Sequence, residues 1–75
     1  MNVLADLKPG AQATVVNVDG SDEVAVRLLE MGMTPGVEIR LIGVAPLGDP
    51  IELELRGYRL SVRKAEAARV RVNPH

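Results

Sequence analysis

The sequence predicts a mainly β domain, a small barrel of short strands with one short helix inserted after the first strand. Three observations carry this expectation. Apolar and polar residues alternate with period two through residues 11–15, 37–41, 51–55 and 58–62. Turn-forming residues separate those runs, at Lys8-Pro9-Gly10, Thr34-Pro35-Gly36, Ala45-Pro46-Leu47-Gly48-Asp49-Pro50 and Arg56-Gly57. One stretch, from Ser21 to Met31, departs from the alternation and shows helical spacing instead. With 75 residues the chain forms one domain, residues 1–75.

Each element has its own signature. Ala11, Ala13 and Val15 alternate with Gln12 and Thr14, then Val16 and Val18 break the phase, which predicts a bulge in the first strand. Ser21 is the expected helix N-cap, with Asp22 and Glu23 where the helix dipole favours negative charge. Val24, Leu28 and Met31 form one apolar stripe, widened by Ala25 and Leu29, and Glu23 and Arg27 are spaced to pair on the wet side. Gly32 stands at the C′ position, Met33 can supply the apolar contact of such a cap, and Pro35 prevents continuation.

The second strand, residues 37–44, points Val37, Ile39 and Leu41 one way and Glu38 and Arg40 the other. The next two runs form a hairpin around Arg56-Gly57. Its register sets Leu55 opposite Tyr58, Glu54 opposite Arg59 and Leu53 opposite Leu60, so apolar meets apolar and acid meets base. Residues 64–68 suit one tight turn, Val70 and Val72 a last strand, and Asn73-Pro74-His75 a tail. Five short strands hide their apolar faces best by curling into a barrel, and the short turn before the last one suits a barrel of the SH3-like kind.

Composition excludes several functions. There is no cysteine, so neither a disulfide nor a thiolate metal site can form. Nine Lys+Arg balance ten Asp+Glu, which gives no general affinity for phosphate backbones or acidic membranes. Residues 1–7 lack the basic-then-apolar layout of a signal peptide, and no apolar run approaches the roughly 20 residues of a membrane helix. The expected location is the cytoplasm.

Taken together, Leu7-Lys8-Pro9-Gly10, the central Arg27-Leu28-Leu29-Glu30-Met31-Gly32-Met33-Thr34-Pro35-Gly36, the Pro46-Leu47-Gly48-Asp49-Pro50 loop and the late segment from Leu60 to Ala67 resemble the FeoA family across essentially the whole chain. The resemblance implies an SH3-like barrel with a helix after the first strand. It implies a cytoplasmic accessory protein of bacterial ferrous-iron uptake, whose partner is the membrane transporter FeoB with its cytoplasmic GTP-binding part. The same fold closes some iron-dependent repressors of the DtxR type as a C-terminal domain; with no helix-turn-helix segment read before the barrel, a free-standing repressor is not expected.

The residues carry little chemistry of their own. The one histidine is the last residue, His75, expected to be disordered. Asp19, Asp22 and Glu23 are explained by helix capping, and Glu52 and Glu54 by Arg59 and Arg63 across the hairpin. No metal site, cofactor or catalytic group is expected, and residues 43–48 lack the lysine and hydroxyl of a phosphate loop. Basic residues crowd the last third, from Arg56 to Arg71, but one aromatic residue makes no stacking platform, so nucleic-acid binding is the alternative and not the first reading. What remains is apolar excess: Leu29, Met33, Ile42, Val44 and Leu47 are hard to bury in so small a barrel. Leu29, Met33, Pro46 and Leu47 are therefore the candidate partner-binding residues, with satellite core packing as the competing explanation.

Overall fold

The structure, a computed structural model, describes residues 2–75. The chain runs β1 (Asn2–Val3), a 3-10 turn (Leu4–Asp6), β2 (Gln12–Val18), α1 (Glu23–Glu30), β3 (Glu38–Val44), β4 (Ile51–Leu55), β5 (Tyr58–Val62), α2 (Lys64–Ala67) and β6 (Val70–Pro74). The strands form one antiparallel sheet in the order β1-β6-β2-β3-β4-β5. The described chain, sheet and helices together, has nearly equal extents of 30 × 25 × 24 Å. Buried residues of β2, β3, β4, β5 and β6 belong to one cluster, so the sheet is curled around one core. Among the described residues β1 and β5 are the two ends of the sheet and do not pair with each other, and they mark its seam.

The alternation read from the sequence reports the core correctly. Ala13, Val15, Val37, Ile39, Leu41, Ile51, Leu53, Leu55, Val62, Val70 and Val72 are all buried. The bulge in β2 is present: its register with β6 shifts between Val15 and Asn17, leaving Val16 as the extra residue. A second shift in β3, between Leu41 and Gly43, leaves Ile42 out of register with β4. Val16, the extra residue of the first bulge, and Val44, at the end of β3, are exposed.

Several expectations need correction. A sixth strand exists, because Asn2 and Val3 pair with Val72 and Arg71 and lead into fully buried Leu4; two residues show no periodicity. Residues 73–75 are not a loose tail, since Asn73 and Pro74 lie opposite Thr14 and Ala13. His75 is held too: its amide donates to the Gln12 carbonyl (3.0 Å) and its ring lies 2.8 Å from Thr14 Oγ1. Glu54 pairs with Arg40 of β3 (3.0 Å), although Arg59 is its register partner on β5.

The helix α1 starts one residue later than expected. Asp22, not Ser21, is the N-cap, its Oδ1 accepting the Ala25 amide at 3.1 Å. The same carboxylate receives the Arg69 guanidinium at 2.7 and 3.1 Å, an additional partner that Ser21 could not match. Arg27 reaches across to Glu66 of α2 in place of Glu23. Leu28 and Ala25 are buried on the barrel, with Val24 and Met31 half-buried beside them.

The helix ends as the sequence predicts. The Met33 amide donates to the Leu28 carbonyl (3.1 Å) and the Gly32 amide to the Leu29 carbonyl (3.0 Å), the two bonds of a Schellman cap. Gly32 has φ +110°, and a Cβ there would lie 2.8 Å from Leu55 Cδ1 and 3.0 Å from Tyr58 Oη. The Tyr58 hydroxyl donates to the Met31 carbonyl at 2.7 Å, tying β5 to the same point. In the hairpin, Arg56 and Gly57 both have positive φ, 50° and 82°, as a type I′ turn requires, and the expected register holds at every position.

Gly32→Ala combines a left-handed φ with a contact no Cβ tolerates, so it should destabilise the fold by about 1–3 kcal/mol; an unchanged denaturation midpoint would refute the packing described. The Arg69 guanidinium, then the Ala25 amide, hold the Asp22 carboxyl below its ordinary value of 3.8. A depressed carboxyl stabilises the fold above its unfolded pKa and ceases to do so as pH falls through the folded one. The melting-temperature advantage over Asp22→Asn, which still caps the helix, should be complete at neutral pH and shrink below 3.8.

Candidate partner-binding surface

The loop between β3 and β4 is built to hold its shape. The Ala45 amide donates to the Pro50 carbonyl (3.0 Å) and the Gly48 amide to the Ala45 carbonyl (2.7 Å), closing a turn over Pro46 and Leu47. Asp49 Oδ1 accepts the Lys64 amide at 3.0 Å, fastening the loop to the first residue of α2. This is also a helix-start interaction, with a carboxylate against a free N–H. At the tip Leu47 is 96 % exposed, and Val44 at the end of β3 is 42 % exposed. Leaving a leucine in water forgoes about 1.5–3 kcal/mol of transfer free energy.

Next to this loop runs a groove of about 650 Å³. Val24 and Arg27 of α1 and its C-cap residue Met31 form one wall, and Ser61, Val62 and Arg63 the other. Pro50 lines it as well, along with Ala65 and Glu66. A smaller depression, of about 250 Å³, over Gly43, Val44, Ala45 and Glu52 shares Pro50 and Ser61 with it. The two form a continuous track from α1, past the base of the Pro46-Leu47 loop, to the end of β3.

The four candidate residues do not converge on this track. Pro46 and Leu47 stand exposed together on the loop. Met33 is fully buried, so its assignment to a contact surface is overturned. As the C″ residue of the helix cap its side chain is turned into the core, the structural role the sequence also allowed. Leu29 is 40 % exposed, beside Val26 at 49 %. At 100° per residue, however, Leu29 points roughly opposite to the mean direction of Val24, Arg27 and Met31. It belongs to a separate flank of the helix. The groove wall was missed because Val24 and Met31 fit the core stripe, and period alone does not distinguish buried from half-buried positions.

Several of the basic residues are engaged locally. Arg69 binds Asp22, Arg71 lies 2.9 Å from Asp19, and Arg56 donates to Thr34 Oγ1 (3.4 Å). Among the described residues no group of three or more His, Asp or Glu is placed to hold a metal ion, and no helix is long and apolar enough to cross a membrane.

A model of the FeoA domain matches residues 2–74. The chain belongs to the FeoA family. It is 38 % identical over 69 residues to the Fe(2+) transport protein A/Fe(2+) transporter FeoB fusion protein of Porphyromonas gingivalis, covering 92 % of this chain and 8 % of that far longer relative. Among solved structures, the FeoA-like protein of Clostridium acetobutylicum superposes with a TM-score of 0.90 at 38 % identity, over 96 % of this chain and 84 % of that one. Stenotrophomonas maltophilia FeoA complexed with zinc, described as a procaryotic SH3 domain protein, gives 0.85 at 31 % identity, over 97 % and 91 %. The SH3-like barrel expected from the sequence is therefore the fold of the family.

Removing the Asp49 carboxylate tests whether the loop is held from α2. In Asp49→Ala the Lys64 amide should exchange with solvent at least tenfold faster, while the Leu53 amide within the sheet stays unchanged. Equal Lys64 protection in both proteins would mean that the carboxylate does not anchor the loop.

Proposed function

We propose that this chain is a cytoplasmic accessory protein of bacterial ferrous-iron uptake, a binding module and not an enzyme, that docks on the cytoplasmic GTP-binding part of the FeoB transporter. The observation that carries the proposal is Leu47, 96 % exposed on a loop fastened at both its base and its side. A pre-shaped loop loses little entropy on docking, so most of the leucine's transfer free energy is available to affinity. The choice of partner is supported by the Porphyromonas gingivalis relative, in which the two proteins share one chain; fusion raises the effective concentration of two modules that act together. Ferrous iron is the transporter's cargo in this reading. The contact is centred on Leu47 and Pro46, with Val44 beside them and Leu29 outside it.

Leu47→Asp should leave the circular dichroism spectrum and melting curve unchanged, because the side chain makes no core contact. It should weaken binding to the purified cytoplasmic domain of FeoB at least tenfold, since a carboxylate is costly to desolvate in an apolar contact. Leu29→Glu should bind normally. Undiminished binding by folded Leu47→Asp would remove that residue from the interface, and no binding by the unaltered chain would defeat the reading itself.

A further inference from the structure

β5 is an end strand of the sheet: among the described residues it pairs with β4 alone. The two-residue turn sets Leu55 and Tyr58 as a hydrogen-bonded pair, and bonded pairs then alternate along an antiparallel ladder. Leu60 and Val62 therefore bond to β4, while Arg59 and Ser61 direct their backbone N–H and C=O groups away from it. This edge runs beside the groove, with Val24 of α1 and the C-cap residue Met31 on the far wall. It is also basic. Arg59, Arg63 and Lys64 follow one another along it, and none of their side chains has an ion pair among the described residues. Glu66, the acid in the groove, is already engaged by Arg27 and by the Arg63 amide.

We infer that the β5 edge is a strand-addition site for an extended, acidic peptide segment of another protein. Outward N–H and C=O groups at Arg59 and Ser61 supply the main-chain bonds. Val24 and Met31 take an apolar side chain, and Arg59, Arg63 and Lys64 take carboxylates. The same charges reject a second copy of this chain. Antiparallel β5–β5 pairing about Ser61 sets Arg59 against Arg63 twice, and like charges placed opposite destabilise a ladder. The inference does not depend on Leu47 or on which protein supplies the segment.

The test uses the full chain, isotopically labelled, and a blocked peptide Thr-Glu-Val-Glu-Val-Glu-Thr followed by NMR, with Thr-Lys-Val-Lys-Val-Lys-Thr as control. The acidic peptide should shift the Arg59 and Ser61 amides and slow their exchange at least tenfold. The Leu60 and Val62 amides, already bonded to β4, should change little. Ser61→Pro removes an outward donor without breaking the ladder and should abolish binding. Should that variant misfold, Arg59→Glu with Arg63→Glu leaves the backbone intact and should exchange the preference to the lysine peptide. The site is refuted if neither peptide binds up to about 1 mM. Shifts centred on residues 44–50 would refute it equally, as would binding indifferent to the charge exchange, or self-association through β5.

Discussion

The end of α1 can rest against the β4–β5 hairpin only because residue 32 has no side chain. Leu55 and Tyr58 occupy the space a Cβ would need. The left-handed turn at Gly32 then drops Met33 into the core and lets the Tyr58 hydroxyl cap the Met31 carbonyl. One side of the barrel is thereby closed by a helix and not by another strand. The groove between α1 and β5, and the unpaired edge along it, are the by-product of that closure.

The other end of α1 is fixed by charge. Asp22 caps the helix and at the same time receives Arg69, the last residue of the turn that leads into β6. Asp19 receives Arg71 on the next residue but one. These contacts are solvent-exposed, so each adds little stability alone. Their effect is geometric: they set where the helix starts relative to β2 and β6, while Gly32 sets where it stops. α2 joins the same arrangement through Arg27–Glu66 on one side and Asp49–Lys64 on the other. The helix, the Pro46-Leu47 loop and the β5 edge are thus mutually braced.

Most of the barrel was legible in the sequence because period two survives wherever one face is buried. The hairpin register, the bulge at Val16 and the cap at Gly32 all read correctly from residue type alone. What was not legible depends on contacts between distant residues. Ser21 and Asp22 are equally good caps in isolation, and only Arg69, 47 positions away, decides between them. Asn2 and Val3 become a strand because β6 offers them an edge. The candidate surface was half legible: Leu47 stands out as an aliphatic residue among turn formers, whereas Met33 has the same composition signal and a buried position. An exposed apolar residue and a cap contact look alike until the backbone around them is known.

The position of β6 has a kinetic consequence. It lies between β1 and β2, joining residues 2–3 and 12–18 to residues 70–74. The sheet cannot close until the last strand arrives, so the loop-closure entropy of almost the whole chain precedes its final rows of hydrogen bonds. Such topologies fold more slowly than helical domains of equal length. During synthesis, β2 must wait with one edge bare until residues 70–74 clear the ribosome, and the domain forms as a unit only then.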